Sequence, residues 1–143
     1  MKKIFFLGVF LLTCLSFNAF GQARSELNFG LIGLNYEIPV GRDVTIAPGG
    51  ATNFDLDWLT LFVRGNYYFD NLFEINDAAW DVYGGAAAGF AFYNGEGNKD
   101  DDLDIGLFFG GRWFWNEKWG IYVEIGGGST QGATGGLGLT LKL

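Results

Sequence analysis

The charged side chains whose strand parity could bring them together are few and widely spaced: Glu37, Arg64, Arg112, Glu124 and Lys142. Histidine is absent, which removes the commonest general base and metal ligand. The only cysteine, Cys14, sits in an N-terminal apolar run, so the rest of the chain has no thiolate nucleophile or ligand. No Ser/His/Asp set can be assembled. Glu37 and Glu124 could in principle form a carboxylate pair, but nearby arginines would keep both ionised. Residues 98–104 place Asp100, Asp102 and Asp104 at alternate positions, as a calcium loop would. Ile105 stands where that loop needs glycine, and no glutamate closes twelve residues, so a solvated acidic loop is the expectation. The glycines at 110–111 and 126–128 lack the following helix and Lys-Ser/Thr pair of a phosphate-binding loop. No enzymatic activity, metal or cofactor is expected.

What must position the charges is legible in residues 102–128. Leu103, Ile105, Leu107, Phe109, Trp113 and Trp115 alternate with Asp104, Gly106, Phe108, Gly110, Arg112 and Phe114. Trp119, Ile121, Val123 and Ile125 then alternate with Gly120, Tyr122, Glu124 and Gly126. A period of two sends successive side chains to opposite faces of a strand. One face is strongly apolar; the other is small or polar and carries the charges. This predicts a closed antiparallel up-and-down barrel that crosses a membrane, apolar face to lipid and polar face to the lumen. Glu37, Arg64, Arg112 and Glu124 then form a lumen charge network, with Lys142 on the same face of the last strand. Charges in so narrow an interior must be paired, which predicts a structural salt-bridge plug. A narrow pore lined by Arg64 and Arg112 is the sharper alternative.

Length and composition set the frame. The 143 residues suit one domain. Residues 1–21 have a basic start at Lys2 and Lys3, a short apolar run and the small residues Ala19 and Gly21 flanking Phe20, the three parts of a secretory signal peptide. The run is too short for a membrane helix, which takes roughly 20 residues. The domain is therefore expected over 22–143. Without Lys2 and Lys3, seven basic residues face sixteen acidic ones, a formal charge of −9. That balance argues against nucleic acid as a partner. No later stretch is apolar enough for a membrane helix, so strands must carry any crossing.

Along the chain, residues 27–40 switch phase: Leu27, Phe29 and Leu31 share one parity, and Leu34, Tyr36, Ile38 and Val40 the other. Gly33 at the change suggests a bulge. A weak strand follows with Val44, Ile46 and Pro48, where proline is tolerated only if its missing N–H costs no ladder bond. Firmer strands cover 58–69 and 80–92, separated by a connection expected to hold a short helical or interfacial turn, and the chain closes on alternating leucines from Leu137. Seven strands are clear, against the even number of single-chain bacterial barrels and an expected total of about eight. The phase switch at Gly33 is one place to hide the missing strand, though short for two full crossings; irregular closure or a missing N-terminal strand are the alternatives. Parity between the two opening strands demands a three-residue loop at 116–118, which sets Arg112 opposite Tyr122 and Glu124 diagonal to Arg112. Tyr67, Phe69, Trp80, Trp113, Trp115 and Trp119 all have outward parity near two turns at one end, as an interfacial aromatic girdle requires. The short turn there marks the expected periplasmic side, with the acidic loop facing outside.

The segments GNYYF (65–69), WDVYGGAAAGFAFY (80–93), GGRWFWNEKWGIYVEIGGG (110–128) and GLGLTLKL (136–143) resemble the closing strands of small bacterial outer-membrane β-barrels, OmpA-type and OmpX-type. The chain departs from that pattern in ending on Leu143, where the family commonly has an aromatic residue. The resemblance implies export, insertion by the outer-membrane assembly machinery, location in outer-membrane lipid as a monomer, and a structural, surface-contact or envelope role. A narrow channel for small solutes is one alternative. A soluble exported, lipocalin-like barrel is another; it inverts the facing and holds an apolar ligand against the tryptophan and leucine stripe.

Overall fold

Alternation becomes eight antiparallel strands in the computed structural model, which describes residues 23–94, 102–129 and 132–143. They are β1 (Glu26–Gly30), β2 (Gly33–Pro39), β3 (Val44–Thr52), β4 (Trp58–Tyr68), β5 (Trp80–Tyr93), β6 (Asp102–Phe114), β7 (Trp119–Gly128) and β8 (Gly132–Lys142). Each pairs with its sequence neighbour, and β1 pairs with β8 from Glu26↔Lys142 to Gly30↔Gly138, which closes the barrel. Closure removes both sheet edges along that seam and satisfies the backbone strand to strand. The expected signal segment, residues 1–21, and most of the acidic loop lie outside the described residues.

The expected bulge at Gly33 is instead a hairpin. Residues 31–32 reverse the chain, and Phe29 faces Leu34 while Leu27 faces Tyr36. This register joins odd positions to even ones, so the parity switch marks a change of strand, not an inserted residue. Here lies the eighth strand. Pro48 faces outward on β3, and the β2–β3 ladder is interrupted beside it, resuming at Ile38↔Ile46. Its missing N–H thus falls where no pair is made. Between β6 and β7 the register is Arg112↔Tyr122, as parity requires. Asn116 Oδ1 accepts from the backbone N–H groups of Lys118 (2.8 Å) and Trp119 (2.7 Å), which pins the turn. Residues 69–79 form turns without a helix.

The faces divide sharply. Glu26, Asn28, Asn35, Glu37, Thr45, Asn66, Asp81, Arg112 and Thr140 are buried inside, while Leu61, Val63, Ile105, Leu107, Val123, Ile125 and Leu137 are exposed outside. Leu107 is 71% exposed and Arg112 2%. That is the reverse of a water-soluble core.

Glycines let the wall approach its contents. A Cβ on Gly49, inside β3, would lie 2.5 Å from the Leu34 carbonyl oxygen and 2.6 Å from the Phe62 ring, whereas one on outward Gly65 meets nothing within 4 Å. Gly49→Ala should therefore lower folding stability by about 1–3 kcal/mol through overpacking. Gly65→Ala should stay within about 0.5 kcal/mol. Urea titrations of refolded protein measure both.

Candidate functional site

The inner faces of β1, β2, β4, β5 and β6 converge on Arg112 near the end of the barrel that holds both β1's start and β8's finish. Its Nη1 donates to Glu26 Oε2 and to Tyr68 Oη, each at 2.5 Å, and its Nη2 pairs with Glu37 Oε1. Glu37 also accepts from Thr45 Oγ1 (2.7 Å), Tyr68 Oη (2.7 Å) and Asn28 Nδ2 (2.8 Å). Thr140 Oγ1 donates to Glu26 Oε2 at 3.1 Å. The guanidinium carbon lies 4.2 Å from the centre of the Tyr83 ring. Arg24, ahead of β1, bridges Glu26 at 2.5 Å and pairs with Asp81. Arginine stays ionised under all ordinary conditions, so two fixed cations hold these carboxylates.

A second pair lies farther along the lumen. Arg64 Nη2 meets Glu124 Oε2 at 2.6 Å, and Tyr83 Oη donates to the same oxygen at 3.0 Å. Arg64 also stacks over Phe108, 3.7 Å from its centroid. Beyond this pair the barrel opens into a cavity of about 370 Å³ whose lining includes Trp58, Thr60, Phe62, Phe108 and Tyr122 with several wall glycines. The lumen is thus a packed ionic plug at one end and a vestibule at the other.

The expected diagonal pair of Arg112 and Glu124 is not made. Gly110↔Glu124 does put them on a ladder diagonal. Arg112 nevertheless reaches across the lumen, where two carboxylates from β1 and β2 meet, and Glu124 turns to Arg64 on β4. Ladder geometry reports proximity along one wall only, and in a narrow barrel the opposite wall is equally close. Glu37 and Glu124, considered as a carboxylate pair, are held by different arginines. Of the sequence-derived network, Glu37 joins Arg112 and Arg64 joins Glu124. Arg24, Glu26 and Asp81 complete the first cluster and were not among its expected members. Glu26 and Asp81 have the inward parity of their strands, a signal the alternation already contained. Arg24 precedes the strand and carries no such signal. Lys142 Nζ sits 3.5 Å from the Phe114 centroid.

On the outside, Tyr67, Trp80, Trp113, Trp115 and Trp119 are exposed and Phe69 is half-buried. Trp80 faces Trp113 across the β5–β6 ladder, rings 6.4 Å apart, and Phe69 packs on Tyr67, Phe73 and Phe109. All six cluster around connections 69–79 and 115–118, at one end. Turn length does not mark that end as expected. Residues 31–32 form a two-residue turn at the opposite end, and 69–79 is a long connection at the aromatic end. Asp102 and Asp104 lie in β6, while Asp100 falls outside the described residues. Comparison with protein-family models, curated proteins and solved structures finds no match.

Two predictions follow from these contacts. Arg112→Ala leaves Glu26 and Glu37 buried without their shared cation and should cost about 3–5 kcal/mol in a denaturant titration. Asp70, in the connection after β4, is buried and accepts from the Val82 N–H at 2.7 Å. Burial pushes its carboxyl up to about 6. A raised acid favours the folded state while protonated, so its contribution is complete below about pH 4 and is lost as pH rises through 6. Asp70→Asn should remove that decline between pH 4 and 6 in stability measured by tryptophan fluorescence.

Proposed function

We propose that the chain is an integral outer-membrane β-barrel, exported through residues 1–21, with a non-enzymatic structural, surface-contact or envelope role. The observation that carries this reading is the exposed apolar belt around a closed barrel whose charges, among the described residues, are turned inward or to its ends. In water such a belt would be a large exposed hydrophobic surface, a mark of membrane or partner contact. In hydrocarbon it is solvated, and closure satisfies the backbone wherever neighbouring strands are paired. The Trp and Tyr side chains near the end that holds the 69–79 and 115–118 connections fit a headgroup-level girdle. The sequence resemblance to OmpA-type and OmpX-type barrels points the same way, with outer-membrane lipid and the assembly machinery as partners.

The alternatives fare less well. A soluble lipocalin-like barrel needs the leucine and tryptophan stripe inside, and that stripe faces outward. A conducting pore needs an open lumen, and the Arg112 cluster fills one end. Sidedness is left to chemistry, because turn length does not separate the two ends. The mature chain has no cysteine, so single cysteines at Asn98 and Asn116 can be labelled in intact cells with an impermeant maleimide; label at Asn98 alone is expected.

The protein should resist alkaline carbonate and show a heat-dependent gel shift. Release by carbonate without detergent would overturn the membrane reading. In planar bilayers the wild type should pass negligible current, and a steady current abolished by replacing Arg64 and Arg112 with alanine would establish the pore instead.

A further inference from the structure

We propose that the vestibule is a binding site for a single-chain amphiphile, a fatty acid being the simplest, that enters sideways from the surrounding lipid through a notch in the barrel wall. The proposal rests on the barrel's lying in a bilayer.

The notch follows from unequal strands. β1 has 5 residues and β2 has 7, whereas β5 has 14 and β6 has 13. At a rise of about 3.4 Å per residue and a tilt of about 40°, β1 climbs about 13 Å where β5 climbs about 36 Å. β8 is paired with β7 along its whole length, up to Gly128↔Gly132, but with β1 only as far as Gly138. Among the described residues, 132–137 therefore have no strand on their other side. Across the gap, β3 reaches just past the hairpin, and the Thr52 N–H donates to the Ile32 carbonyl at 2.8 Å. The turn at 31–32 is the sill of the opening, with β8 and the end of β3 on either side. An apolar band about 25 Å tall would place that sill well inside the hydrocarbon.

The cavity and the notch are one space. The lining that includes Arg64 and Glu124 on the lumen side also includes Leu31, Ile32, Leu34 and Leu137, which are exposed on the outer surface. The same lining reaches Leu107 on the fully paired β6, so the way out to lipid rests on the unpaired edge at 132–137 and not on the lining alone. Below the sill, Tyr122 seals the interior, its ring and hydroxyl lying where a Cβ on Gly138 or Gly30 would come within 2.7 Å. The passage leads from lipid into the vestibule and stops there.

The chemistry selects the ligand class. The rim is aliphatic and suits a hydrocarbon chain. Inside, the Arg64–Glu124 pair is 13% and 15% exposed. The Arg64 Nε and the Thr60 hydroxyl are buried without a hydrogen-bond partner among the described residues. Thr60 is 6% exposed and lines the cavity. These are donors that call for an oxygen acceptor, and the free edge of 132–137 adds backbone N–H groups that lipid tails cannot meet and such an oxygen can. A pure hydrocarbon would leave all of them unmet. One chain with an oxygen head satisfies both parts, and about 370 Å³ lies within the range of small-molecule sites.

The test uses the mature chain reconstituted in phosphatidylcholine vesicles and titrated with a fluorescent polyene fatty acid. Expected is a saturable signal of one ligand per barrel above partition into protein-free vesicles. A Cβ on Gly136 meets Glu124 Cβ at 3.6 Å and Tyr122 Cε2 at 3.7 Å, ordinary contacts, so Gly136→Trp can fill the vestibule from an undisturbed backbone. It should weaken binding about tenfold or more, equivalent to about 1.4 kcal/mol. Ile32→Asp, a charge on the sill, should slow uptake from the bilayer while leaving the gel shift intact. No saturable component in the wild type overturns the proposal. So does equal affinity in Gly136→Trp barrels that keep the heat-dependent gel shift; if that variant does not fold, Gly136→Leu carries the same expectation. A signal unaffected by Ile32→Asp in both rate and extent overturns lateral entry. Carbonate-resistant barrels that fail to bind defeat this inference alone, whereas barrels released by carbonate defeat the membrane reading beneath it.

Discussion

A charge taken inside a narrow barrel has no bulk water to turn to, and the rest of this structure depends on meeting that constraint. Arg112 meets it by reaching Glu26 and Glu37 at once, with Tyr68 between them. The cost of desolvating three ions is offset by further partners: Thr45, Asn28 and Tyr68 donate to Glu37, Thr140 donates to Glu26, and Arg24 pairs ionically with the other Glu26 oxygen. The cluster ties β1 through β6 and β8 to one centre. It does inside the barrel what an apolar core does in a soluble domain, by specific pairing instead of area.

Because polar contacts hold the interior, the apolar side chains are free to face outward, and glycine can take up the inner wall where bulk is not wanted. On β7 and β8 the inward positions Gly120, Gly126, Gly136 and Gly138 leave room for large neighbours such as Phe114 and Tyr122 at one end and for the vestibule at the other. The short β1–β2 hairpin adds an asymmetry that full-length strands would not have. It lowers the wall beside β8, next to the vestibule.

Much of the architecture was legible from alternation alone. The strands containing Leu103 to Phe114 and Trp119 to Ile125 have the expected facing, and parity alone required the Arg112↔Tyr122 register that the 116–118 turn produces. The parity change at Gly33 does not by itself separate a hairpin from a bulge, because a two-residue turn and a single inserted residue change phase in the same way. Turn length does not distinguish the two ends, since short and long connections occur at both.

The sequence by itself determined which side chains share a face, because a period of two is a local property of the extended backbone. It thereby separated the exposed leucines and tryptophans from Glu37, Arg64, Arg112 and Glu124. Which charge meets which was decided only by closure. Arg112 finds Glu26 and Glu37 from strands far away in sequence, and Arg64 takes Glu124. Those partners sit across the lumen, and distance across a lumen depends on how many strands close it and how they are staggered. The depth of the notch has the same origin, since it exists only where a short hairpin is brought beside a long final strand.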